Sequence, residues 1–498
     1  MSKKIIQGNI FSPEKKYDWI LVEDGIIKKA GNGNIPKVEA DSVDLKDYFI
    51  YPAFHDSHVH IELFARSLKE LRFNEHIDVP QLLFLLSEEC GRCDGSILTG
   101  GGFGRTFLDH YPGLAEIDKA TGNTPVILYS KDIHTFVLNS AMFDILSDDH
   151  KQKFAGYIQK DEMGYTGLVF EKGAELVGDF IKPDRNDLEN MLKEVPKAFW
   201  KYGVTSVHNM DGGNVIQIME DGVFPSGLRV ISYVRDQSQL KSVNVRGKKI
   251  FADGSLGSLT AWMIDPYSGK KSCGIGLYSE SELEEMIRIC ADLNIPPAVH
   301  AIGDRANHIL INLYKKYGGR HWRIEHAQTI RDEDIGKCRD IIFSMQPSHI
   351  FTDIELAEKN IDGYQRYMFR FRSILDNGGK LIFGSDTPVD RPDPLRGIYM
   401  ASERIDIRDD SVWQGQERLT RLEAIKAYTV WPGEIEDNMT GRIEPGYKAD
   451  LVVLDKDIMV CPFEDIMKAE VFATYFAGEC VFGTGAIESQ QSVPGIDS

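Results

Sequence analysis

No run of about 18 apolar residues occurs in the 498-residue chain, which argues against a membrane-spanning helix. Met1-Ser2-Lys3-Lys4-Ile5-Ile6-Gln7 leads into polar residues and lacks the apolar stretch of a secretory leader. Basic residues are in the minority: 57 Lys and Arg stand against 76 Asp and Glu, a formal charge of −19, with no like-charge block long enough to suggest a tail. Nucleic acid and anionic membrane are therefore poor partners. Cysteine is scarce and odd in number, seven scattered over the chain, which excludes a secreted disulfide framework and points to the cytoplasm. Cys90-Gly91-Arg92-Cys93 has redox spacing but no second pair for zinc, and reads as two thiols near a turn. Gly100-Gly101-Gly102-Phe103-Gly104-Arg105 lacks the Lys-Ser/Thr of a phosphate loop, and reads as a turn or pocket wall.

What is present is an ordinary globular composition, 42% hydrophobic and 27% charged, and one stretch with metal-binding chemistry. In Pro52-Ala53-Phe54-His55-Asp56-Ser57-His58-Val59-His60, residues two apart on a strand share a face. His58 and His60 can thus grip one cation with neutral imidazoles, a donor type suited to zinc.

Residues 1–50 read as short strands at Lys4–Ile10, Trp19–Leu21, Ile26–Ala30 and Val43–Leu45. Beyond residue 440, Leu451–Leu454, Val471–Phe476 and Cys480–Phe482 mirror them, so 1–50 plus 440–498 are expected to form a composite β-sandwich domain. The middle alternates strands and helices. Leu188, Met191, Leu192, Val195 and Phe199 repeat at helical spacing, interrupted by Pro196. Ser281-Glu282-Leu283-Glu284 reads as a capping box opening another helix. Counting the histidine strand, eight strand candidates imply an α/β chain folded as a (β/α)8 TIM barrel over 51–439, with a long insertion at 65–185. His58 and His60 end the first strand, Lys249 lies on the fourth, His300 and His326 end the fifth and sixth, and Asp386 follows the eighth.

These residues carry a resemblance. The first-strand stretch resembles that of the amidohydrolase superfamily. Ser130-Lys131-Asp132-Ile133-His134 with Asn139-Ser140-Ala141, Phe251-Ala252-Asp253-Gly254-Ser255, Val299-His300-Ala301-Ile302-Gly303-Asp304, Arg323-Ile324-Glu325-His326, Phe383-Gly384-Ser385-Asp386 and Gly446-Tyr447-Lys448-Ala449-Asp450-Leu451 are similar to large amidohydrolases related to N-substituted formamide deformylase. One departure is Ala53-Phe54-His55-Asp56, where the family has Gly-Phe-Ile/Leu-Asp; His55 should face away from the metal.

The resemblance implies a metal-dependent hydrolase of an amide-like, N-acyl or N-formyl C–N bond in a small organic molecule. Its ligands would be His58, His60, Lys249, His300, His326 and Asp386. One or two divalent ions, Zn2+ among the candidates, would activate hydroxide, with Asp386 shuttling the proton. Lys249 has two readings: a solvated lysine beside a mononuclear site, or a carbamate bridging two ions, for which desolvation must free a neutral amine. Asp132, His134 and Asn139 are similar to the branch pattern in the insertion, where His134 would polarise a carbonyl or hold a carboxylate, or would equally cap a local turn. Phe103 and Trp262 are candidate apolar walls of a substrate pocket. His208 closes a strand and is as well explained by structure as by the pocket. A deaminase, esterase or lactonase, or a non-catalytic metal-binding regulator, would use the same residues. A homodimer follows from family analogy alone.

Overall fold

The computed structural model describes residues 3–483 except 14, 74–76, 92–96, 104–109, 131–134, 155–157, 163, 171–176, 178–182 and 362. The chain divides into two compact units, residues 1–61 with 192–498, and residues 62–191.

The first unit contains eight parallel strands: β1 (Phe54–Val59), β2 (Val204–Asn209), β3 (Arg229–Val234), β4 (Val245–Phe251), β5 (Pro297–Ala301), β6 (Arg323–His326), β7 (Ile342–Met345) and β8 (Lys380–Phe383). They pair in chain order from β1 to β8. The ends meet just past β8: the Asp386 amide donates to the His58 carbonyl at 2.8 Å, and the His60 amide to the Thr387 carbonyl at 2.9 Å. The sheet is thereby nearly closed into a barrel, which gathers the carboxyl ends of the eight strands around one mouth.

Helices follow the strands wherever the sequence has an apolar stripe. The interrupted stripe is divided as its proline dictates, into Arg185–Leu192 and Val195–Trp200, with Pro196 in the first turn of the second helix, where its missing N–H costs nothing. The helix Glu280–Asp292 buries Leu283, Ile287 and Cys290, but its capping box is Ser279 with Glu282, two residues earlier than the expected Ser281. Both serines offer the same oxygen at nearly the same place, and spacing alone does not rank them.

The two chain ends join in one seven-stranded ladder, in the order Glu479–Gly483, Val471–Phe476, Leu451–Leu454, Asp41–Pro52, Lys3–Ser12, Lys15–Glu23, Ile26–Gly31. Ile6, Ile20, Ile50, Leu451, Val453 and Ala473, drawn from both ends, share its core. Leu451 lies opposite Pro52, so this sheet is stitched together next to the start of β1. Asp450 fastens it to the barrel by accepting from Arg229 on β3 and from the Ala477 amide at 2.8 Å.

The second unit is a six-stranded mixed sheet, in the order Ile158–Asp161, Gly164–Phe170, Thr135–Leu138, Val126–Ser130, Leu98–Phe103, Leu71–Arg72. Of the glycine run expected in a turn or pocket wall, Gly100-Gly101-Gly102-Phe103 lies instead within the strand Leu98–Phe103, and Gly104 and Arg105 lie outside the described residues. A Cβ on Gly101 would stand 2.0 Å from the Tyr129 ring, so glycine there lets that ring cross the neighbouring strand. Of the redox-spaced pair, Cys90 ends the helix Val79–Cys90 and Cys93 lies outside the described residues.

Candidate metal centre

β1 ends in Ser57-His58-Val59-His60. His58 is fully buried and its Nδ1 donates to Glu325 Oε2 at 2.5 Å, so Nε2 is the nitrogen left to face the mouth. The His60 Nδ1 donates in the same way to Asp211 Oδ1 at 2.8 Å. Both free Nε2 atoms face one carboxylate oxygen: Asp386 Oδ1 lies 3.5 Å from that of His58 and 3.3 Å from that of His60.

β5 and β6 supply the next pair. The His326 Nδ1 donates to Gln346 Oε1 at 2.8 Å, leaving Nε2 free. His300 is turned the other way, with Nε2 donating to the Gly254 carbonyl at 3.1 Å and Nδ1 left for a ligand. Ring centroids are 4.8 Å apart for His58 and His326, and 4.5 Å for His300 and His326. His326 and Asp386 both adopt left-handed backbone, with φ of 67° and 61°, a conformation that side-chain-bearing residues rarely take and that functional sites often retain. Ligand atoms of His58, His326 and Asp386 all lie within 4.8 Å of one another.

Lys249 points inward from β4 with 2% of its surface exposed, and its Nζ stands 4.8 Å from the centre of the Phe251 ring. Nζ, the His58 Nε2 and Asp386 Oδ1 are buried without a hydrogen-bond partner. Orphaned polar atoms buried in this way would be costly in a finished core; in a cation site such atoms serve as donors.

The charges agree with that use. Burial, reinforced by Lys249, pushes His58 down to about 4 and His300 to about 3, and burial with His300 beside it holds His326 well below the usual range. All three are neutral near pH 7, the form that binds metal. Burial works against charge on His60 too, but Asp211 and Asp386 raise it to about 9. Burial also opposes ionisation of Asp386, yet His58, His60 and His326 hold its carboxyl well below the carboxylate range. Burial depresses Lys249 to about 8, against the pull of Glu325 and Asp386.

Several partners in this arrangement were not picked out as functional residues in the sequence. Glu325 carries the His58 ring and is itself held by Arg323, whose guanidinium also donates to the Ser57 carbonyl, the Ser344 hydroxyl at 2.7 Å and the His208 Nδ1 at 2.7 Å. Arg323 and Glu325 are two apart on a strand, so both enter the barrel interior; an inward pair of opposite charges was the available signal. Asp211 follows β2 in the irregular stretch before the helix Asn214–Glu220. Asp56 accepts from the Ser385 amide at 2.9 Å and from the Ser385 hydroxyl at 2.5 Å, fixing the turn that presents Asp386.

Other expected site residues are placed differently. His208 is buried beneath the ligands as the acceptor of Arg323, a structural position. His55 faces away, its Nε2 3.0 Å from the Thr440 hydroxyl. Trp262 is half-buried on the loop after β4, its amide donating to Asp253 Oδ2 at 2.8 Å and its ring stacked under Arg305. Two candidates need correction. Asn139 caps the helix Ser140–Ile145 and is saturated by the Met142 and Val126 amides, the Thr121 hydroxyl and the Thr124 carbonyl, which leaves its amide nothing to offer a substrate. Phe103 is fully buried in the core of its own unit with Phe73, Leu82 and Val137, so it lines no pocket. Asp132 and His134 lie outside the described residues.

Among the described residues, no helix is long and apolar enough to cross a membrane. A sequence model described as amidohydrolase family matches residues 41–482. The chain is 27% identical over 504 residues to YtcJ of Bacillus subtilis (strain 168), covering 93% of this chain and 95% of that one. It is 23% identical over 495 residues to the N-substituted formamide deformylase of Arthrobacter pascens, covering 88% and 89%. The crystal structure of an uncharacterised metal-dependent hydrolase from Pyrococcus furiosus superposes with a TM-score of 0.73 at 25% identity, over 92% of this chain and all of that one.

Proposed function

The chain belongs to the amidohydrolase family, and from that premise we propose that it is a metal-dependent hydrolase cleaving a C–N bond, amide-like, N-acyl or N-formyl, in a small organic substrate. The observation that supports this reading is the grouping of His58, His326 and Asp386, whose ligand atoms lie within 4.8 Å of one another, with the His60 Nε2 3.3 Å from the same carboxylate, His300 packed on His326 and Lys249 buried on β4. This donor set fits a divalent cation such as zinc. His58, His60 and Asp386 would hold one ion, and His300 and His326 a second, with Lys249 between them. When bound, such an ion polarises a carbonyl and lowers the pKa of a water to about 7.

The chain's own groups do the rest. Asp386 stays ionised, and its Oδ1 is placed to take the proton of the attacking water and deliver it to the departing nitrogen. The Ser385 turn, clamped by Asp56, holds that carboxylate in register with the two histidines of β1. Lys249, depressed to about 8, offers a neutral amine that can add carbon dioxide, replacing a cation with an anionic oxygen donor that both ion positions can share. Trp262 supplies an apolar wall.

The test is a screen of zinc-loaded protein against N-acyl, N-formyl, cyclic-amide and amino-heterocycle libraries, with esters and lactones included. Hydrolysis confined to C–N substrates is the expected result. Turnover of esters or lactones only, or of nothing, would overturn the reading.

A further inference from the structure

The four histidines are not supported alike. Behind His58 stands Glu325, fully buried and doubly held by Arg323; behind His60 stands Asp211, itself largely buried. Behind His326 is the neutral amide of Gln346, and the far nitrogen of His300 donates to the neutral Gly254 carbonyl at 3.1 Å, with the Asp253 Oδ1 more remote at 3.5 Å and already accepting from the Ile302 amide. A carboxylate hydrogen-bonded to the far nitrogen of an imidazole makes the near nitrogen a stronger donor and fixes the ring; a neutral acceptor fixes the ring with little electronic effect. Asp386 adds to the imbalance, since its Oδ1 is within 3.5 Å of the free nitrogens of both β1 histidines. Lys249 does not offset it, because a carbamate there would serve both positions.

We infer that Glu325 and Asp211 are positioning residues that make the His58–His60 pair the tighter of two cation positions, and that the His300–His326 pair is the weaker and exchanges first. The inference rests on the metal-dependent reading but not on the bond cleaved. A preparation that binds ions in this order and hydrolyses no amide would defeat the C–N proposal and leave this one standing.

The experiment is a zinc titration of chelator-stripped full-length protein against a chromophoric competitor. The wild type is expected to take up zinc in two phases of different affinity. Asp211→Asn, a change at the partly exposed rim, and Glu325→Gln should each weaken the tight phase by about 10- to 100-fold while leaving the weak phase in place. Gln346→Glu, which puts a carboxylate behind His326, should tighten the weak phase. If Glu325→Gln strands Arg323 and fails to fold, Asp211→Asn and Gln346→Glu decide the matter alone. Uptake of a single ion whose affinity falls in Asp211→Asn but not in Gln346→Ala supports the inference, the weaker position then lying below detection. Two equal phases in the wild type, a tight phase indifferent to Asp211→Asn, both phases weakened alike, or no zinc uptake would overturn it.

Discussion

A Cβ on Gly384 would stand 2.5 Å from the His58 amide nitrogen and 2.8 Å from Asp56 Oδ1, so the last barrel strand reaches the first with backbone almost against backbone. This contact sets the distance between the β1 histidines and Asp386, two residues after Gly384. Both partners are held by the barrel, and neither is a flexible side chain that could swing aside.

Gly384→Ala is therefore expected to push β8 away from β1. The cost should resemble that of other overpacked cores, about 1–3 kcal/mol, read from urea denaturation. Zinc retention after dialysis should fall as well, because the displaced turn carries Asp386. Unchanged stability together with unchanged zinc content would show that the closure is slack.

Asp386→Asn keeps the shape of the side chain and removes its ability to take a proton. The variant should still fill with zinc when the metal is in excess, though more weakly, and lose about 100- to 10,000-fold in kcat, the range expected when a positioned base is removed. Single-turnover kinetics on any substrate found in the screen checks this. Full activity in the variant would place the proton transfer elsewhere.

Barrel, satellite strands and the strand-end placement of the histidines were legible because each rests on local pattern: apolar runs between turns, and histidines at strand ends. What supports the ligands was harder to see. Glu325 was visible inside Arg323-Ile324-Glu325-His326, but its partner His58 lies 267 residues away, and only ring closure brings them together. Asp211 carried no signal of its own, because it lies in the irregular stretch between β2 and the next helix. Asn139 and Phe103 misled for a different reason: Asn139 matches the family pattern and Phe103 lies near it, yet one caps a helix and the other fills a core, duties that such a match does not reveal.

Asp450 joins the satellite sheet to the barrel through a largely buried ion pair with Arg229. Asp450→Ala leaves that guanidinium and the Ala477 amide without their acceptor, and breaking a buried pair from one side costs about 3 kcal/mol or more. The expected outcome is a lower urea midpoint with zinc affinity unchanged, since Asp450 lies at the start of the sheet and away from the ligands. A simultaneous loss of zinc affinity would mean that sheet and ligand sphere are mechanically coupled.

Lys249 gives the site a pH dependence whose sign can be worked out. Burial holds its amine at about 8 in the folded protein, whereas an unfolded lysine titrates at about 10.4. Between those values the unfolded chain binds more protons, so metal-free protein should gain stability as pH rises through this window, and Lys249→Met should flatten that rise. Only the neutral amine adds carbon dioxide, and its fraction grows over the same interval. Stripped protein held with zinc at the same dissolved 13CO2 concentration at each pH is therefore expected to show a carbamate carbon signal that builds faster at pH of about 8.5 than about 7 and is absent from Lys249→Met. If stability rises with pH but no carbamate signal develops, Lys249 is a neutral buried amine beside the ions rather than a bridge between them.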